Sequence, residues 1–186
     1  MAKLILLNKP YQVLSQFSDS EGRDTLAKFV SQKNVYPAGR LDYDSEGLIA
    51  LTDNGQLQHY IANPKKKMPK TYWAQVEGVP DENAFALLRK GVILKDGKTK
   101  PAKVKLIDEP RMLWPRVPPI RVRESITTQW ILITIREGKN RQVRRMFAAI
   151  GSPVLRLIRY SIGVWDLDGL KPGESRVVNI NLPNMK

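Results

Sequence analysis

Tyr36-Pro-Ala-Gly39-Arg40-Leu41-Asp42-Tyr-Asp-Ser45-Glu-Gly-Leu48-Ile-Ala-Leu51-Thr-Asp-Asn54-Gly55 is the stretch on which the rest of the chain turns. A tight polar loop runs straight into an apolar run, residues 48–51, which stops at an Asn-Gly turn signal. Short apolar runs bounded by turn residues read as buried strands. The loop sets Arg40 and Asp42 two positions apart beside Gly39, so it can hold a guanidinium and a carboxylate at the end of a buried strand.

Working outward, 186 residues fit one domain or two small subdomains around a shared sheet. Thirty-one Lys and Arg against eighteen Asp and Glu give a net charge of +13. A chain this basic points to a polyanionic partner, because each neutralised phosphate releases condensed counterion. There is no cysteine, which excludes disulfides, thiolate metal sites and a cysteine nucleophile and fits a reducing cytoplasm. With one histidine, His59, which we read as a surface residue, zinc chemistry is not expected. No apolar run approaches a membrane span, and the start is too short for a signal peptide, so a membrane role is not expected.

Residues 4–7 read as a strand ended by Asn8-Lys9-Pro10, and residues 10–22 as a polar loop. A helix is expected over 25–30 with Asp24 as its cap, and another after Gly55 that ends at Pro64. Residues 64–70 form a lysine-rich loop suited to phosphate contact, Lys70 included. Alternation over 71–78 puts Tyr72, Ala74 and Val76 on one strand face. Asp81 caps a helix that buries Phe85, Leu87 and Leu88 and stops at Gly91. Residues 92–94 and 102–106 read as a hairpin about Asp96-Gly97, the second strand with a wet face of Lys103 and Lys105.

Residues 110–129 carry Pro110, Pro115, Pro118 and Pro119 with Arg111, Arg116, Arg121 and Arg123. This is an ordered insert loop, suited by its arginines to RNA contact, with Trp114 as packing anchor or stacking surface. Residues 130–135 read as a strand, and 139–150 as a helix with Val143, Met146, Phe147 and Ile150 on its apolar face. Arg141 and Arg145 lie opposite that face and Arg144 at its border. Strands follow over 154–160 and 177–182. Seven strands and four short helices without strict alternation argue for an α+β fold with a mixed, mostly antiparallel sheet.

Three stretches carry chemistry: Gly39-Arg40-Leu41-Asp42, Lys70-Thr71-Tyr72, and Glu137-Gly-Lys-Asn-Arg-Gln-Val-Arg-Arg-Met146. The first, extended to Gly55, resembles the catalytic motif of the ribosomal RNA pseudouridine synthases of the RsuA type. The third is similar to their C-terminal motif, and Lys70-x-Tyr72 falls between, as in that family. The opening Leu-x-Leu-x-Asn-Lys-Pro and the run Leu157 to Gly163 match too, so the resemblance spans nearly the whole chain. The insert, and an apparently missing N-terminal S4 module, make the sequence most similar to the RluE branch, which acts on 23S ribosomal RNA.

That resemblance implies one catalytic domain over residues 1–186, in two subdomains around a basic cleft, that isomerises a uridine of 23S ribosomal RNA after flipping it out. It implies no cofactor and no metal. Asp42 becomes the catalytic carboxylate, as nucleophile or as base at C2′. Arg144 becomes its partner, favouring the charged form. Tyr72 stacks on the uracil and assists proton transfer at C5. Arg40 fills the gap left by the base or holds its phosphate, and Leu157 (or Leu155) closes the apolar side. Arg141, Arg145 and Lys70 contact the RNA. No long apolar stripe asks for a dimer, so a monomer is expected. Two other readings stay open: a synthase for 16S ribosomal RNA or transfer RNA, and a non-catalytic RNA-binding assembly factor.

Overall fold

In the computed structural model, which describes residues 1–182, apolar runs become strands and i, i+3, i+4 patterns become helices. The strands are β1 (Ala2–Lys9), β2 (Tyr36–Pro37), β3 (Glu46–Thr52), β4 (Lys70–Glu77), β5 (Ile93–Leu94), β6 (Gly97–Lys98), β7 (Lys103–Ile107), β8 (Thr128–Ile135), β9 (Val154–Ile162), β10 (Trp165–Asp166) and β11 (Ser175–Ile180). The helices are α1 (Gly55–Ala62), α2 (Glu82–Lys90) and α3 (Gln142–Ala149), with 3-10 turns at Leu26–Lys28 and Pro64–Lys66. The class is α+β, as expected. The chain divides into two compact units, residues 1–68 with 161–186, and residues 69–160.

In the first unit β1 pairs antiparallel with both β3 and β11, Leu7 opposite Ile49 and Leu4 opposite Val178. Every residue of β3 is buried, and all of β1 but Lys3. A strand covered on both faces reads as a continuous apolar run, which is why 48–51 shows no alternation. Ile5, Leu7, Leu26, Leu41, Ile49 and Leu51 share the core of this unit.

In the second unit the strand order is β9-β4-β8-β7. β4 and β8 pair antiparallel with Tyr72 opposite Ile133, and β7 adds on β8 with Val104 opposite the same Ile133. β4 alternates as expected: Tyr72, Ala74 and Val76 are buried. They pack with Phe85 and Leu88 of α2, with Val143, Met146 and Phe147 of α3, and with Leu157 of β9.

Several expectations are corrected. Residues 25–30 hold a single 3-10 turn capped by the Thr25 hydroxyl, while Asp24 pairs with Lys28 at 3.1 Å. The helix expected after Gly55 is α1, and Asn54 is its N-cap, accepting from the Leu57 amide at 2.9 Å. Leu87 is 52% exposed. It lies two residues from Phe85, about 200° around a helix, so the two cannot share a face. The hairpin is only β5 with β6; residues 102–106 pair with β8 instead. Leu106, on the apolar alternation, is exposed. The helix expected over 139–150 begins at Gln142, because Arg141 is left-handed, with φ 51°.

Candidate active site

In the first unit the site is built from main chain held at fixed points. Gly39 has φ +89°, a conformation that disfavours any residue with a Cβ, and lets the chain turn into Arg40-Leu41-Asp42. The buried Ser15 hydroxyl accepts from the Leu41 amide at 3.0 Å and donates to the Leu41 carbonyl at 2.6 Å. On the far side of Asp42, the Tyr43 carbonyl accepts from the Gln12 amide at 2.8 Å. The Asp42 carbonyl itself accepts from the Ser45 amide at 3.0 Å, closing a turn. Both neighbours of Asp42 are therefore tied to residues 12–15, and its half-buried side chain leaves a backbone with little freedom.

That support is itself supported. Lys9, at the end of β1, is fully buried, and its ammonium donates to the Pro10 carbonyl at 2.9 Å and the Val13 carbonyl at 2.7 Å. Those bonds set the shape of the segment that carries Gln12 (left-handed, φ 58°) and Ser15. Arg40 is exposed, with its guanidinium donating to the Gln16 amide oxygen at 3.2 Å, so it leans on the same segment.

The second unit brings Tyr72, Leu157 and the apolar side of α3 into one cluster. The Tyr72 ring is 8% exposed, and its hydroxyl has no hydrogen-bond partner among the described residues. That oxygen is not fully buried, so a ligand can reach it. Arg144 is half-buried on α3, between Val143 and Met146, which are in the core. Leu155 is half-buried and Leu157 buried, so of the two alternatives Leu157 is the one in the cluster with Tyr72.

Lys70 opens β4, half-buried, beside Gly138; a Cβ there would lie 3.4 Å from its ammonium. Burial, and then the positive charge of Arg159, hold the Lys70 ammonium below its ordinary value. Glu137 shapes the loop before α3, accepting from the Lys100 amide at 2.8 Å and from the Gln142 side chain at 2.6 Å. Arg141 is exposed at the start of α3. Arg145 forms a two-pronged pair with Asp96, at 2.7 and 3.2 Å, and also donates to the Asn140 carbonyl. An RNA contact by Arg145 would have to share its guanidinium with Asp96. His59 is exposed on α1 and bonded to Asn63, away from these groups in the chain.

Sequence reasoning missed Lys9, Gln12 and Ser15. It took Asn8-Lys9-Pro10 as the end of a strand and part of the family match, with no role for the Lys9 side chain, and the next residues as a polar loop. A lysine next to an apolar run, with nothing acidic beside it in sequence, was the available signal. Among the described residues, no group of three or more His, Asp or Glu could hold a metal ion, and no helix is long and apolar enough to cross a membrane.

The chain matches known proteins along most of its length. Residues 3–149 fit the family model described as RNA pseudouridylate synthase. The chain is 57% identical over 178 residues to ribosomal large subunit pseudouridine synthase E of Vibrio vulnificus, covering 96% of this chain and 76% of that one. It is 56% identical over 171 residues to the protein of the same name in Xanthomonas axonopodis, covering 91% and 90%. A solved pseudouridylate synthase superposes with a TM-score of 0.78 at 31% identity, covering all of this chain and 73% of the other. The fold, the three motifs and these relatives lead to one conclusion: the chain belongs to the RNA pseudouridylate synthase family.

Proposed function

We propose that this protein converts one uridine of 23S ribosomal RNA to pseudouridine in the cytoplasm, with Asp42 as the catalytic carboxylate. The observation that carries the substrate is the similarity to relatives named as large-subunit synthases, at more than half of all positions over nearly the whole chain. What supports Asp42 is its place: an ionisable group between two residues whose main chain is pinned. Positioning of a reacting group to a fraction of an ångström is worth orders of magnitude in rate.

The reaction breaks the N1–C1′ bond, turns the base, and joins C5 to C1′. C5 loses its hydrogen and N1 gains one, so atoms and electrons balance with no oxidant, reductant or cofactor. The Asp42 carboxylate acts on the ribose, at C1′ as nucleophile or at the C2′ proton as base. Arg144 is the cationic partner that orients it. Tyr72 lies against the uracil face, its unbonded hydroxyl directed to the proton leaving C5. Leu157 closes the apolar side. Arg40 supports the strand from which the base has left, at an unstacking cost on the order of a few kcal/mol. Arg141, Arg145 and Lys70 hold phosphates, and the enzyme works as a monomer.

The test is tritium release from in vitro transcribed 23S ribosomal RNA labelled at uridine C5. Wild-type protein is expected to release tritium to water and Asp42→Asn to release none. Equal release by both removes the role given to Asp42. Binding without release from any RNA points to an assembly factor, and release from 16S ribosomal or transfer RNA alone moves the substrate.

A further inference from the structure

The net charge of +13 is unevenly divided between the two units. Residues 69–160 contain nineteen Lys and Arg against eight Asp and Glu, a net +11. The remaining residues contain twelve against ten, a net +2. The half of the chain that contributes the carboxylate is thus nearly neutral, and the other half is strongly cationic.

Within the cationic unit, the insert over residues 110–129 is fastened to β9. Arg156, itself buried, donates to the Trp114 carbonyl at 2.9 Å, and its guanidinium lies 5.8 Å from the Trp114 ring centre. Arg116 donates to the Leu155 carbonyl at 3.2 Å and to the Pro118 carbonyl at 2.9 Å. The insert arginines therefore divide. Arg116 holds the loop in place, while Arg111 and Arg121 are exposed and have no hydrogen-bond or ion-pair partner among the described residues. Arg123 is exposed as well and approaches only Glu77, at 3.9 Å. Met112, Val117 and Val122 are 84, 81 and 64% exposed.

A long loop without regular structure is costly to order unless something uses it. This one is ordered by two arginines and presents unpaired cations interleaved with apolar side chains. That is the chemistry of RNA recognition: cations for phosphates, apolar surface for unstacked bases. We propose that residues 69–160 form the RNA-docking half of the protein, and that Arg111 and Arg121 on the fastened insert contact phosphates of the ribosomal RNA outside the target nucleotide. The proposal rests on the reading of ribosomal RNA as substrate.

The test compares two double variants with the wild type: Arg111→Gln with Arg121→Gln on the insert, and Lys33→Gln with Lys171→Gln on exposed sites of the nearly neutral unit. Binding to in vitro transcribed 23S ribosomal RNA is measured by filter retention across a KCl series. Near-identical melting temperatures and circular dichroism establish that each variant is folded. The insert variant is expected to bind several-fold more weakly at physiological salt, with the slope of log K against log salt shallower by about 1.5, since each lost phosphate contact removes about 0.7–0.9. The lysine pair is expected to change neither. Equal losses in both variants would show a diffuse field with no docking half, and unchanged binding by the insert variant would show that the insert serves something other than RNA; either result overturns the proposal. Wild-type protein that binds with this pattern but releases no tritium overturns the catalytic reading and leaves the docking surface standing.

Discussion

The hydroxyl of Ser15 meets both the amide and the carbonyl of Leu41, one residue before the proposed catalytic carboxylate. Removing it strands two buried backbone groups, at about 1–3 kcal/mol for each left unsatisfied. It also frees the loop that aims Asp42. Ser15→Ala is expected to lower the single-turnover rate about 10- to 100-fold at saturating RNA, with RNA affinity nearly unchanged, at a temperature well below its melting point. Ser15→Thr, which keeps a hydroxyl, is expected to recover part of the rate. A normal rate in Ser15→Ala would reduce the contact to ordinary core packing. The loop around Asp42 drew attention in the sequence because it carries a dense local motif. Ser15 was not, because it acts across 26 residues of sequence and a lone serine in a polar loop looks like any other.

At the scale of elements, local signals were read correctly where the physics is local. Asp81 caps α2 through the Ala84 amide at 2.8 Å, and period-two burial along β4 places Tyr72 inward. Partner choice was not legible: alternation says which face of 103–107 is wet, but β7 could have paired with β5 as easily as with β8. The left-handed Arg141 that shortens α3 was not read, although Gly138 and Asn140 just before it are poor helix formers.

One strand carries a measurable cost. Lys70 on β4 is held charged against burial and against Arg159. A lysine whose folded pKa is depressed penalises the fold while both folded and unfolded states are protonated. The penalty is full below the depressed pKa and is relieved as pH rises from there toward the ordinary 10.5. Lys70→Met is therefore expected to raise the melting temperature at pH 7 by about 2 °C, with the advantage over wild type shrinking toward pH 10, while tritium release falls. Calorimetry at the two pH values checks the sign; a stability gap that grows with pH contradicts it.

At the scale of the whole molecule, overall charge was legible in the composition, but its segregation was not, because the division of the chain appears only once the units are known. Those units differ in another way. Residues 69–160 are continuous, whereas the other unit is assembled from residues 1–68 and 161–186. Its β1 lies between β3 and β11, so the first strand of the chain completes its pairing with the last.

That arrangement has a consequence for synthesis on the ribosome. Every residue of the continuous unit emerges ahead of β11, and β1 must wait for β11 with one edge unpaired. Closing so long a loop is also the slowest kind of contact to form. Pulsed hydrogen exchange during refolding is expected to protect amides of β4 and β8 before those of β11, and simultaneous protection would contradict this order. The cationic unit would then be folded first, and the strand that ends at Lys9, whose ammonium holds the segment tied to Leu41, would be paired last.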